Sequence, residues 1–73
     1  MEVKGVAYKN CHIQLMPLKD PKSEKWYVRV QIECDYKSGI DVHSINPKIK
    51  LLSEDDAVAY GTTVAKKWID ENT

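Results

Sequence analysis

Four side chains in this sequence carry atoms that hold metals or attack electrophiles: Cys11, His12, Cys34 and His43. Thiolate and imidazole together satisfy a tetrahedral zinc ion, but such sites draw their ligands from closely spaced C-x-x-C knuckles, and this chain has none. Cys11 and His12 are adjacent, so in a strand they point to opposite faces. A cysteine nucleophile needs a thiol ionised by a nearby imidazole or helix N-terminus within a cleft. Cys34 falls instead on the apolar side of the clearest strand. The residues therefore predict two buried, inert cysteines and solvated or hydrogen-bonded histidines, with no catalytic, metal or cofactor role, and so no enzyme.

Binding chemistry is the next possibility. Tyr27, Arg29 and Gln31 alternate with apolar residues and so share one outward face. Arg29, with Lys9, Lys19, Lys22 and Lys25, offers cations for phosphates, and Tyr27 offers a ring on which a base stacks. Glu33, Asp35 and Asp41 repel phosphate, and lysines in a charged loop ordinarily keep that loop solvated. Met16, Tyr36 and Tyr60 lie outside the apolar stripes, as side chains do at protein interfaces or where they extend a core. The order of expectation is a protein-interaction or regulatory module first, with a protein partner or a homodimer, and a nucleic-acid-binding domain second.

These residues need a scaffold, and the pattern supplies one. Trp26, Val28, Val30, Ile32 and Cys34 alternate with polar residues at a period of two, which predicts a strand over 26–34 with one covered face. Tyr8–Leu18 reads as a second strand, with Cys11, Ile13 and Leu15 on one side and Pro17 weakening its far end. The charged segment 19–25, containing Pro21, suits a long, exposed and mobile hairpin loop. A third strand over 40–45 follows the Lys37-Ser38-Gly39 turn, with Ile40 and Val42 expected to join the apolar face. Asn46-Pro47 ends it. Lys48–Leu52 is read as the crossing to the helix, with a fourth strand as the alternative.

Ser53-Glu54-Asp55-Asp56 is a helix start. Serine caps the first free N–H groups and three acids oppose the dipole, with Leu52 and Ala57 placed to form a hydrophobic staple. Ala57, Val58, Gly61, Val64, Ala65, Trp68 and Ile69 recur at helical spacing over 54–70, with Lys66 and Lys67 towards the C-terminal end. Gly61 costs a helix roughly 1 kcal/mol relative to alanine, so its place between Ala57 and Ala65 predicts close approach to the sheet, with Trp26, Val28 or Ile32 in the groove. The fold class is α+β: a three-stranded antiparallel sheet, four-stranded in the alternative, packed on one C-terminal helix in the order β-β-β-α.

Size and charge set the bounds. At 73 residues the chain is one domain with too small a core to enclose a large substrate cavity. Eleven basic and eleven acidic residues balance to zero, so no global field draws nucleic acid or anionic lipid. No apolar run approaches the ~20 residues of a membrane span. Two cysteines are too few for a secreted disulfide framework and no cationic-then-apolar leader opens the chain, so the expected location is cytoplasmic.

The W-x-V-x-V-x-I strand and the S-x-x-D-A-V helix start, in β-β-β-α order, resemble short bacterial proteins of unassigned activity. That likeness spans nearly the whole chain and implies the fold alone. Trp26-Tyr27-Val28-Arg29-Val30, followed by the segment from Ser53 to Tyr60, is similar to DNA-binding domains of the AP2/integrase N-terminal type. There a three-stranded sheet lies on one helix and its outer face enters the major groove. That resemblance implies base reading from Tyr27, Arg29 and Gln31, and the chain departs from it at Glu33, Asp35 and Asp41.

Overall fold

Alternation builds the sheet. The structure is a computed structural model that describes residues 4–72. Four strands run in chain order, β1 (Lys4–Tyr8), β2 (Cys11–Lys19), β3 (Trp26–Tyr36) and β4 (Gly39–Ile45), followed by one helix, α1 (Glu54–Asn72). Each strand pairs antiparallel with the next, in the spatial order β1-β2-β3-β4, giving an α+β fold of order β-β-β-β-α.

The period-two pattern decides which face the helix covers. Cys11, Ile13, Leu15 and Pro17 of β2 and Val28, Val30, Ile32 and Cys34 of β3 are buried, while His12, Gln14, Arg29, Gln31 and Glu33 between them are exposed. The helix answers with Ala57, Gly61, Ala65 and Ile69, one buried residue per turn, packed across β2 and β3. A Cβ on Gly61 would stand 3.0 Å from Leu15 Cδ2 and 3.1 Å from each methyl of Val28. The absent side chain is what lets helix and sheet close to interior packing density.

Ser53 caps the helix as its type predicts. Its Oγ accepts the N–H of Asp56 at 3.1 Å and its carbonyl accepts the N–H of Ala57 at 3.1 Å. The staple from Leu52 does not form, since Leu52 is 81% exposed and Leu51 packs on the core instead. Leu51 is held there by β3: its N–H and carbonyl both bond Trp26, at 2.6 and 2.7 Å. The segment before the helix is thus a crossing with one isolated bridge rather than a strand. The helix runs on to Asn72, whose side-chain amide donates to the Trp68 carbonyl at 2.8 Å, so Lys66 and Lys67 precede a last turn that has no basic residue.

The fourth strand is β1. The stretch expected as one strand from Tyr8 is broken by a two-residue turn, with Lys9 in the left-handed region at φ 54° and Tyr8 closing on Cys11. Neither Gly nor Pro marks this turn. Pro17 leaves the β2–β3 ladder intact as far as Lys19 opposite Trp26, because the N–H it lacks would point towards the β1 side. The 20–25 loop is exposed and ordered about Asp20, whose carboxylate accepts the Lys22 N–H and the Ser23 hydroxyl and pairs with Lys50.

The expected facing of the strand after Gly39 is overturned. Ile40 and Val42 do not join the covered face; they are 66% and 52% exposed. Tyr36 pairs with Gly39, so Asp41 stands opposite Cys34, His43 opposite Ile32 and Ile45 opposite Val30. A register one residue away from the expected one exchanges the faces of the whole strand. The cysteines are buried as expected, and they are joined: Cys11 and Cys34, directly opposite in the β2–β3 ladder, form a disulfide.

Candidate functional site

With the helix on one face, the other face of the sheet is open. Its outward positions are Gly5 and Ala7 on β1, His12, Gln14, Met16 and Leu18 on β2, Tyr27, Arg29, Gln31, Glu33 and Asp35 on β3, and Ile40, Val42 and Ser44 on β4, and none of these side chains is buried. The face is mixed in chemistry. Glu33 and Asp35 stand on the same strand face as Arg29, and Ile40 and Val42 form an apolar end beside the two acids, in register with Asp35 and Glu33.

The expected trio is placed on this face but not in one pocket. Arg29 and Gln31 line a depression of about 380 Å³ with Gln14, Met16, Ser44 and Asn46. Tyr27 lines a second depression, of about 390 Å³, with Asp20, Pro47, Lys48 and Lys50. Arg29 stands opposite Met16 in the ladder, and among the described residues its guanidinium makes no ion pair. The first depression therefore presents one unpaired cation among two glutamine amides, an asparagine amide and a serine hydroxyl. This donor set complements a carboxylate or another anionic oxygen group. Of the three other residues singled out for an interface, Met16 lines that depression, Tyr36 ends β3 in the open, and Tyr60 packs against the core.

The covered side has polar fastenings at its ends. The Asp70 carboxylate accepts the Tyr8 hydroxyl at 2.9 Å and pairs with Lys9 Nζ at 2.6 Å, tying the end of the helix to the β1–β2 turn. Lys9 and Tyr8 together hold the Asp70 carboxyl below its ordinary value, and the Asp70 carboxylate raises both the Tyr8 phenol and the Lys9 amine. Asp20 is held down to about 2 by Lys50, the Lys22 N–H and the Ser23 hydroxyl. These are exposed pairs whose role is to fix ends and loops, not to move protons.

The four residues with metal or nucleophile chemistry are dispersed. Cys11 and Cys34 are bonded to each other, His12 lies on the open face near Gly5, and His43 stacks on Trp68 of the helix with ring centroids 4.3 Å apart and planes 11° from parallel. Among the described residues no group of three or more His, Cys, Asp or Glu side chains is placed to hold a metal ion. The disulfide and the stack were beyond sequence reasoning for one reason: each depends on strand register, which puts Cys11 opposite Cys34 and turns His43 to the helix. No helix among the described residues is long and apolar enough to cross a membrane. Comparison with known protein families, with curated proteins and with solved structures gives no match to this chain.

Proposed function

We propose that this chain is a non-enzymatic protein-interaction or regulatory module whose binding surface is the open face of the sheet. The observation that carries this reading is the composition of that face among the described residues: half-exposed to exposed apolar side chains, an Arg29 without an ion pair in a shallow donor-rich depression, and Glu33 and Asp35 on the same face. Such a surface suits a protein partner that brings apolar contact to Met16, Ile40 and Val42 and an acidic side chain to Arg29. Nucleic-acid binding through Tyr27, Arg29 and Gln31 is the second reading. The AP2/integrase resemblance and the exposure of Arg29 favour it, and Glu33 and Asp35 on the same face oppose it.

The sulfur chemistry bears on the compartment. A cytoplasmic location is expected from a cysteine count too small for a disulfide framework, and the Cys11–Cys34 bond weighs against it, because disulfides persist in oxidising compartments and are rare in the cytosol. The module is accordingly proposed to work where its disulfide survives. Capture from nuclease-treated extract of the native host, with the wild-type chain beside Arg29→Glu and Met16→Asp, tests the function. A protein retained by the wild type and lost by both variants is the expected result. Recovery of nucleic acid alone from untreated extract overturns it in favour of the second reading.

A further inference from the structure

β4 is an edge strand, and its free side is set by hydrogen-bond phase. The N–H of Asp35 bonds the Asn10 carbonyl at 3.0 Å, so odd-numbered residues of β3 turn their backbone groups to β2 and even-numbered ones to β4. The register then gives the odd residues of β4, from Gly39 to Ile45, to β3. The N–H and carbonyl groups of Ile40, Val42 and Ser44 point outwards, and among the described residues no strand meets them. Edges of this kind are usually blunted by lysine, proline or a bulge. β4 has no lysine or proline, its one charged side chain is Asp41 opposite Cys34, and its pairing with β3 is unbroken over seven residues.

We propose that the chain forms a two-fold symmetric homodimer by pairing β4 with β4 of a second copy, antiparallel and centred on Val42. This register places the outward backbone groups of Ile40, Val42 and Ser44 in hydrogen-bonded pairs and brings all seven residues of each strand into the ladder. Asp41 then stands opposite His43 of the partner subunit, and the same contact repeats across the axis, in the closely spaced pairs where side chains interact best. On the open face Val42 meets Val42 of the partner subunit, and Ile40 lies beside Ser44 of the partner subunit, next to the Arg29 depression. Centring on Asp41 would oppose two carboxylates, and centring on His43 would oppose two imidazoles, each with a shorter ladder. The helix packs mainly on β2 and β3 and reaches β4 where Trp68 stacks on the His43 ring, on the covered face rather than along the outward backbone groups. The dimer sets Ile40 and Val42, the most exposed large apolar residues of the sheet, along its seam with their outer sides still open, and joins two open faces into one eight-stranded surface. It goes beyond the partner-binding reading, which stands or falls separately.

Sedimentation equilibrium from micromolar to near-millimolar concentration, joined to amide hydrogen exchange, tests it. The mass of two chains is expected at the upper end. Exchange at Ile40, Val42 and Ser44 should slow at least ~10-fold with concentration, while Asp41 and His43, already bonded to β3, do not change. Val42→Pro removes no bond within the chain and should give a folded monomer. Asp41→Lys, which removes the carboxylate facing His43 of the partner subunit and sets an ammonium in its place, should weaken association at least ~10-fold. A single-chain mass throughout, or a dimer that both variants leave intact, overturns the proposal.

Discussion

The two faces of β2 and β3 are made by the same two runs, nine residues of β2 and eleven of β3, taken alternately, yet they do opposite things. On the covered face Ile13, Leu15 and Ile32 are wholly out of water and meet a helix stripped to Ala57, Gly61 and Ala65 at the contact. On the open face Gln14, Arg29, Gln31 and Glu33 are exposed, and Arg29 has no ionic partner among the described residues. Apolar area and close packing are concentrated on one side, so substitution of the exposed side chains on the other costs little stability.

The sharpest test of that division compares neighbours. Ile32→Ala should lower unfolding free energy by ~2–5 kcal/mol through lost burial and a cavity, while Gln31→Ala, one residue away on the other face, should stay within ~0.5 kcal/mol in urea denaturation. A large loss at Gln31 would break the comparison. Next in size is the disulfide, which clamps the covered face over a separation of 23 residues. Unfolding under reducing conditions should be easier by ~2–4 kcal/mol, read as the shift in urea midpoint with and without reductant.

Gly61 gives a test with a sign in it. Alanine there gains roughly 1 kcal/mol of helix propensity, but its Cβ would press Leu15 and Val28. Gly61→Ala should therefore destabilise by ~1–3 kcal/mol through overpacking. Ala59→Gly, on the exposed side of the same helix, should also destabilise, by ~1 kcal/mol through propensity alone, and thermal melts of the two variants check both values.

The smallest effects belong to the exposed fastenings. Asp20 and Asp70 are held below their ordinary value of 3.8, so their contribution is fully present above that pH and is lost as pH falls through the lower folded values, about 2 for Asp20. Carboxyl titration by NMR should show Asp20 protonating near its folded value of about 2 rather than the ordinary 3.8, and Lys50→Gln should move it back towards 3.8.

Much of this architecture is written in periodicity. The alternation from Trp26 to Cys34, the Ser53 cap and the small residues at 57, 61 and 65 are local signals, and the structure uses each as its chemistry suggests. What the sequence hides is phase between strands. The β1–β2 turn at Lys9-Asn10 has no glycine or proline to announce it, and pairing Tyr36 with Gly39 sends Ile40 and Val42 outwards and His43 inwards. The disulfide depends on the same register, because Cys11 and Cys34 look like two unrelated apolar positions until the ladder sets them side by side. Tyr27, Arg29 and Gln31 were legible as one face, and their division between two depressions was not.

Oxidative footprinting of the chain alone and bound to its captured partner addresses the division of faces most directly. If the open face is the recognition surface, Met16 and Tyr27 lose reactivity on binding while Tyr60 of the helix does not change. Protection confined to the helix side, with Met16 and Tyr27 as reactive as in the free chain, would contradict it.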